Sequence, residues 1–278
     1  MDVISITNHR EAPKELLRRR FAAVLPQGGE ALEAHISLAA ASHTIEAGEK
    51  IAAADDMPSR VWLLASGVAG DVRTLPDGRR QVLSLRLPGD ILQADSQETI
   101  LALSAVEIVD ALPTLRALGE KAPHHQPLRQ AWLASSRLEQ ALLRDHLVRL
   151  GCLSAYERMG HFLMETHDRL SRVGLATPTA FHLPVRQDVV ADLMGLSVVH
   201  VSRTMQTLRR EGLAFSRSGY VTLPDRERLS AASGYVSRFA TATTNGVRHA
   251  VAPKPMLGQG FSALGWGGGA QPAASPQP

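Results

Sequence analysis

The chain has 278 residues, of which 44% are hydrophobic, and a formal net charge of +3 at pH 7. This length allows two domains, and the apolar content is sufficient for packed cores. No apolar run approaches the roughly 18 residues that a membrane span requires. The start, MDVISITNHREAPKE, lacks the apolar core of a secretory signal. These features predict a cytoplasmic protein without a membrane partner.

The distribution of charge and the number of cysteines exclude further classes of protein and of binding site. Residues 235–278 contain three basic residues and no acidic one, so residues 1–234 are balanced and any basic surface must be local. The single cysteine, Cys152, excludes an intrachain disulfide and a four-cysteine zinc or iron–sulfur site within one chain. Cys152 lies where two predicted helices meet. We expect it to be a small buried residue, and we keep a redox sensor as the alternative.

Helices occupy the start of the chain. Apolar spacing predicts helices at residues 15–24 and 31–41. The three arginines at positions 18–20 could contact nucleic acid, but a solvated helix face is the favoured interpretation.

A run of short β-like segments follows, over residues 43–110. Turn signals such as Pro76-Asp77-Gly78 separate the segments, which predicts an antiparallel barrel or sandwich. In the segment 80–87, Leu83, Leu85 and Leu87 are expected on one face. The sequence of residues 112–118 predicts a short helix after the β-like segments.

The longest predicted helix spans residues 127–150, with Pro127 in its first turn. Before it, residues 119–126 predict a polar connector, in which His124 and His125 belong to the linker rather than to a metal site. The apolar stripe of the long helix is wider than packing against one neighbour requires. This helix therefore either bridges its own domain and a partner chain or is an ordinary core helix. Residues 154–173 predict the next helix.

Residues 187–213 predict two short helices joined by a tight turn. Gly195 suits a left-handed end of the first helix, and Ser197 suits the N-cap of the second. The second helix places Val201, Met205 and Leu208 on its inner face. This layout is that of a helix-turn-helix, whose second helix enters the major groove of DNA.

Three further features favour DNA binding over an ordinary helix pair. The segment from Ser197 to Arg210 contains three arginines and no acidic residue. Small or polar side chains cluster in the first two turns of the second helix, the end that reaches base edges. Residues 217–223 predict a hairpin turning at Ser218-Gly219, which would supply a wing.

Two segments resemble the cyclic-AMP receptor / fumarate–nitrate regulator (Crp–Fnr) family of bacterial transcription factors. They are LGCLSAYERMGHFLMETHDRLSRVGL (150–175) and LPVRQDVVADLMGLSVVHVSRTMQTLRREGLAFSRSGYVTLPDRERL (183–229). Over residues 43–118 the resemblance is looser, through EAGE, LLASGVAGDV, DGRRQ and LPGDI. It implies an α+β fold with an N-terminal cyclic-nucleotide-binding-like antiparallel β-roll, a long dimerisation helix and a C-terminal winged helix-turn-helix.

The resemblance also implies an arrangement of domains and partners. We expect a β-roll sensor domain with N-terminal helices (1–126), a dimerisation helix (127–151), a DNA-binding domain (152–234) and a disordered tail (235–278). A homodimer would bind a palindromic operator in double-stranded DNA, with half-sites about 34 Å apart. RNA polymerase is a further expected partner.

Carried over by position, the base-contacting residues are Val198, Val199, Ser202 and Arg203. The candidates for phosphate contacts, which fix register without specifying sequence, are Arg186, His200, Arg209 and Arg210. For Arg209 and Arg210 a solvated helix end is the favoured interpretation. Arg203 is the best candidate for a bidentate contact to guanine. Many relatives have Glu where this chain has Val199, and Val can make only apolar contacts, for instance to a thymine methyl group. The half-site is therefore expected to differ from that of the cyclic-AMP receptor.

The sensor domain departs from nucleotide-binding relatives. Those members have a Gly-Glu pair and an Arg followed by a small hydroxyl residue, whereas LPGDILQADSQETI (87–100) has neither. We therefore expect no cyclic nucleotide and no cofactor. The N-terminal cysteine cluster of iron–sulfur members is also missing, and nothing in the sequence supports a haem ligand among His9, His35 and His43.

Two other functions compete with that of a sequence-specific regulator. One is a small-molecule or redox-sensing β-roll module whose helix-turn-helix makes only non-specific DNA or protein contacts. The other is an enzyme with a cupin-type metal site, which needs His or Glu ligands at strand spacing. Residues 60–110 contain no histidine, so we expect no metal site, no catalytic residue and no enzymatic activity.

Overall fold

A computed structural model describes residues 12–24, 36–39, 41–52, 61–93, 98–120 and 123–239. Helix α1 (Pro13–Val24) precedes eight strands. The strands are β1 (Ser42–Ile45), β2 (Lys50–Ala52), β3 (Trp62–Ser66), β4 (Ala69–Thr74), β5 (Arg80–Arg86), β6 (Ile91–Leu92), β7 (Thr99–Ala102) and β8 (Val106–Asp110). Helices α2 (Leu112–Gly119), α3 (Gln126–Cys152) and α4 (Ala155–Arg172) follow them.

The eight strands form two four-stranded antiparallel sheets, with orders β1-β8-β3-β6 and β2-β7-β4-β5. Apolar side chains of both sheets share a buried cluster that includes Leu64, Leu92 and Ile108. This is the β-roll that the turn signals and the resemblance predicted.

The C-terminal part of the described chain is a winged helix-turn-helix. Its three-stranded sheet contains β9 (Ala180–His182), β10 (Phe215–Arg217) and β11 (Tyr220–Thr222) in the order β10-β11-β9. Its helices are α5 (Gln187–Met194), α6 (Val198–Arg210) and α7 (Arg226–Ser233). The main hydrophobic cluster includes residues of this part and of strands β4 and β5, so the β-roll and the helix-turn-helix pack against each other.

Strand β5 departs from the predicted alternation. Leu85 and Leu87 are buried as expected, but Val82 is buried in place of Leu83. The pairing with β4 jumps from Asp71↔Ser84 to Val72↔Val82. This β-bulge inserts one residue, and the burial pattern shifts because the side-chain period along a strand is two.

Two predictions for the start of the chain are wrong. The described part of the predicted helix 31–41, residues 36–39, is not helical. The side chain of Arg20 is only 13% exposed instead of lying on a solvated face. Its guanidinium bonds Asp90 and Glu139, and its Nε donates to Ser135 Oγ at 3.0 Å. Arg18 and Arg19 both pair with Glu15 within α1.

The long helix α3 has an apolar side that the described chain leaves uncovered. Leu128 and Ala131 are buried against α1 and the β-roll. Leu143, Leu147 and Val148 are 47%, 62% and 55% exposed. The predicted wide stripe is therefore present, but only one side of it is covered within this chain.

Asp90 lies at the centre of a buried ion network. It accepts from Arg20 of α1, from Arg169 of α4 at 2.6 Å and from the Leu87 backbone N–H at 2.8 Å. Burial alone would raise the pKa of Asp90, but Arg169, Arg20 and Arg86 reverse this effect and hold it below its usual value. The carboxylate therefore joins α1, the β-roll and α4 in its charged form.

We expect Asp90→Ala to destabilise the protein by about 3–5 kcal/mol, because two partly buried guanidinium groups lose the buried carboxylate that they share. The measurement is the free energy of unfolding in urea. Asp77→Ala is the matched control, because Asp77 forms an exposed pair with Arg79, and its loss should cost less than about 1 kcal/mol. Equal losses for the two variants would contradict the central role of Asp90.

Two histidines at the contact between α3 and α4 make stability depend on pH. Burial and the nearby Arg149 lower the pKa of His146 to about 4, and they lower that of His161 to about 4 as well. An unfolded histidine takes up a proton near pH 6.5, so between pH 6.5 and 4 the unfolded state binds more protons than the folded state. The free energy of unfolding must then fall as the pH falls through this window.

We expect His146→Leu to reduce the slope of the free energy of unfolding between pH 6.5 and 5, a range above the titration of ordinary carboxyl groups. The double variant with His161→Leu should reduce this slope further. Urea unfolding curves at half-unit pH steps measure it. A wild-type slope in both variants would show that these histidines are not the source.

Candidate nucleic-acid interface

The turn between α5 and α6 has the local geometry that its sequence predicts. Gly195 ends α5 with φ +62°, a left-handed conformation that glycine adopts at little cost. Ser197 is the N-cap of α6, and its Oγ accepts from the His200 backbone N–H at 3.2 Å. Val201 and Leu208 are buried and Met205 is partly buried. The predicted inner face of α6 is confirmed.

The four predicted base-contacting residues share one accessible face of α6. Val198 and Val199 are 44% and 57% exposed, Arg203 is exposed, and Ser202 is partly buried. Positions 198, 199, 202 and 203 follow the spacing of one helical face. Among the described residues, none forms an ion pair with Arg203, so its guanidinium is available to a ligand.

The predicted phosphate-contacting residues differ in their surroundings. His200, Arg209 and Arg210 are exposed on α6, and Arg210 Nη2 donates to Thr207 Oγ1 at 3.0 Å. Arg186 is at the N-cap position of α5 with 82% of its side chain exposed, but it pairs with Asp188 at 2.9 Å. Arg186 must therefore exchange a weak surface ion pair for any phosphate contact.

A shallow recess on α6 contains residues that were not among the predicted site residues. It is lined by Arg203, Gln206, Thr207, Arg209 and Arg210. Gln206 and Thr207 are three and four positions after Arg203, so helical spacing could have identified them. Gln206 is exposed and carries both donors and an acceptor.

The acidic residues that flank α6 are already engaged. Asp192 precedes the helix and pairs with Arg80, and Glu211 follows it and accepts from the Tyr156 hydroxyl at 2.5 Å. Helix α6 itself contains no acidic residue. Its outer surface is therefore positive, which suits a polyanion.

The predicted wing is present beside this surface. Strands β10 and β11 are joined by Ser218 and Gly219, whose φ angles are +50° and +79°. Positive φ at both positions is the signature of a two-residue hairpin turn whose twist matches that of its strands. Arg217 ends β10 and is exposed at the tip of the wing; it was not among the predicted site residues.

Two arginines that were not among the predicted site residues, Arg20 of α1 and Arg86 of β5, lie at one cavity. A cavity of about 360 Å³ is lined by Arg20, Phe21, Arg86, Ile91, Gln93, Trp132, Ser135, Ser136 and Glu139. Arg86 pairs with Asp71 at 2.7 Å and with Glu139 at 3.5 Å. Burial would lower the pKa of Arg86, but these carboxylates raise it above its usual value. Both cavity arginines are thus neutralised by residues of this chain.

The remaining predictions concern Cys152, the candidate haem ligands, metal binding and membrane spanning. Cys152 is exposed at the end of α3 and is not the buried residue expected, although Arg149 in the same last turn is buried. His43 packs edge-to-face against Trp62, with ring centroids 5.2 Å apart. His9, His35 and residues 240–278 lie outside the described part.

Within the described residues, no cluster of three or more His, Cys, Asp or Glu could hold a metal ion, and no helix is long and apolar enough to cross a membrane.

A β-roll, a long helix and a winged helix-turn-helix with a basic second helix define the class of bacterial DNA-binding regulators. Residues 157–232 match the Crp-like helix-turn-helix domain. The chain is 32% identical over 191 residues to the nitrogen fixation regulation protein FixK of Bradyrhizobium diazoefficiens, covering 66% of this chain and 78% of that protein. It is also 32% identical over 187 residues to the transcriptional activatory protein AadR of Rhodopseudomonas palustris, covering 66% and 77% of the two chains.

The solved structure of FixK2 from Bradyrhizobium japonicum has the same architecture. It aligns with a TM-score of 0.60 and 27% identity, and the alignment covers 72% of this chain and all of that one. The chain therefore belongs to the Crp–Fnr family of transcription regulators, as the resemblance in its sequence predicted.

Proposed function

We propose that this protein is a sequence-specific transcription regulator that binds a palindromic operator as a homodimer in the cytoplasm, and that it is not an enzyme. The observation that carries this proposal is the exposed face of α6, where Val198, Val199 and Ser202 lie beside Arg203, whose guanidinium forms no ion pair with any described residue. Apolar and bidentate polar groups at one helix end can discriminate base edges. His200, Arg209, Arg210 and Arg186 supply phosphate contacts around that face.

The homodimer is supported by the uncovered side of α3. Leu143, Leu147 and Val148 are large, apolar and about half exposed or more. In a two-fold dimer the same patch faces its own copy, which buries these side chains without a second binding surface. Two copies of α6 would then face half-sites about 34 Å apart. RNA polymerase would be the further partner of the DNA-bound dimer.

We infer that the β-roll does not bind a cyclic nucleotide. A cyclic phosphate needs unpaired cations or N–H donors, and Arg20 and Arg86 are already paired with Asp90, Asp71 and Glu139. The cavity of about 360 Å³ keeps a second candidate function open, in which the roll senses a small uncharged molecule. A melting shift with such a ligand, together with only non-specific DNA affinity, would favour that candidate.

The test is selection of bound sites from random DNA, repeated with Arg203→Ala. We expect the wild type to select a palindrome, and the variant to lose roughly 1–3 kcal/mol of discrimination at one base pair of each half-site. Arg209→Ala is the control, because losing a phosphate contact should weaken binding to all sequences about equally. If Arg203→Ala binds target and random DNA in the wild-type ratio, its assigned role is wrong.

We expect Leu147→Glu to produce a monomer, because two buried carboxylates would meet at the two-fold axis. Sedimentation velocity measures the mass, and the affinity for the palindrome should fall with the loss of the second α6. Leu75→Glu is the matched control, since Leu75 is 40% exposed on the turn between β4 and β5. A dimeric Leu147→Glu variant would rule out this side of α3 as the interface.

A further inference from the structure

The start of strand β5 contacts a single residue at the end of α5. Gln81 Nε2 donates to the backbone carbonyl of Asp192 at 2.6 Å. Arg80 donates to the Asp192 carboxylate through Nε at 2.8 Å and through Nη2 at 2.5 Å. Two successive residues of the β-roll thus hold both the backbone and the side chain of one residue in the helix-turn-helix.

The bonded carbonyl is one that α5 cannot satisfy by itself. The last four carbonyls of a helix lack intrahelical partners, and in α5 they belong to residues 191–194. The Ala191 carbonyl accepts from the backbone of Gly195 and Leu196, and the Met194 carbonyl accepts from Arg158 of α4 at 3.0 Å. Gln81 therefore provides a C-terminal cap to α5 from a different part of the fold.

This capped end leads directly into α6. Only Gly195, Leu196 and Ser197 separate α5 from Val198, the first residue of α6. The contact leaves the base-facing residues uncovered, since Val198 and Val199 remain about half exposed. The docked strand is therefore compatible with a DNA duplex on α6, and it holds the turn that sets the direction of that helix.

The other end of β5 lies at the cavity of the β-roll. Arg86, the last residue of β5, lines this cavity and bonds Asp71 and Glu139. Apolar packing of Val82 and Leu85 in the same buried cluster as Val189 and Leu193 of α5 keeps the strand against the helix-turn-helix. One short strand thus joins the roll interior to the turn before α6.

We propose that Arg80 and Gln81 are positioning residues that hold the α5–α6 turn in its DNA-binding geometry, so that the β-roll acts on DNA affinity through β5. This inference rests on the proposed DNA-binding function. It adds a contact that lies outside α6 and touches no nucleotide. The ion pair is partly exposed, with 37% of the Arg80 and 29% of the Asp192 side chain accessible, so its effect comes from orientation rather than from overall stability.

The experiment compares four variants of the full-length protein: Gln81→Met, Arg80→Asp, the swap Arg80→Asp with Asp192→Arg, and the control Arg79→Asp. Arg79 lies in the same hairpin and pairs only with Asp77 among the described residues. Arg79→Asp changes the net charge by the same amount as Arg80→Asp, so it accounts for the general electrostatic effect on DNA binding.

Two quantities are measured: affinity for the selected palindrome, and hydrogen exchange of residues 191–197 without DNA. We expect Gln81→Met and Arg80→Asp each to weaken affinity by about fivefold beyond the control and to speed exchange at Gly195 and Leu196. The swap should return both quantities to within about twofold of the wild type. Equal effects of Arg79→Asp and Arg80→Asp, a swap that restores neither quantity, or tighter binding by the variants would overturn the proposal.

Failure of the proposed DNA-binding function would give a different result from failure of the positioning role. A wild-type protein that selects no palindrome would refute sequence-specific binding, whatever the variants do. Exchange at residues 191–197 needs no DNA, so in that case it alone decides whether β5 holds the turn. Unchanged exchange in both Gln81→Met and Arg80→Asp would then refute the positioning role.

Discussion

The Asp90 carboxylate is the point on which the relation between the β-roll and the DNA-binding helices depends. It lies in a turn of the roll, yet it accepts from Arg20 of α1 and from Arg169 of α4. Arg20 also reaches Glu139 of α3. Asp90 is buried and both arginines are mostly buried, so loss of either partner would leave the Asp90 charge poorly compensated. These ion pairs therefore tie the roll to α1, α3 and α4.

Among the described residues, two uncovered faces suit the proposed partners. One is the outer side of α3, where apolar side chains remain exposed. The other is the outer side of α6, where no described residue forms an ion pair with the arginines and where the flanking acids bond Arg80 and Tyr156. The first face suits an identical apolar face and the second suits a polyanion. The proposed surface for self-association is thus separate from the proposed surface for DNA, and strand β5 joins the helix-turn-helix to the interior of the roll.

Elements with strong local signals could be predicted from the sequence. The helix-turn-helix, its Gly195 end, its Ser197 cap and the wing turn at Ser218-Gly219 all depend on backbone preferences within a few residues. The strand-like segments of the roll were also identified, although the bulge at Leu83 changed which side chains are buried. A bulge depends on the partner strand, so the alternation within one strand cannot reveal it.

What the sequence by itself determined is therefore most of the helices and strands, together with the inner and outer faces of α6, since periodicity and capping are local properties. Only the tertiary structure decided what the isolated charges do. The sequence predicted a solvated Arg20 and a buried Cys152. It assigned no role to Arg80, Gln81 or Asp192. Their roles depend on partners separated by up to 119 residues in the chain, as for Arg20 and Glu139. Pairings over such separations exist only once packing brings the elements together.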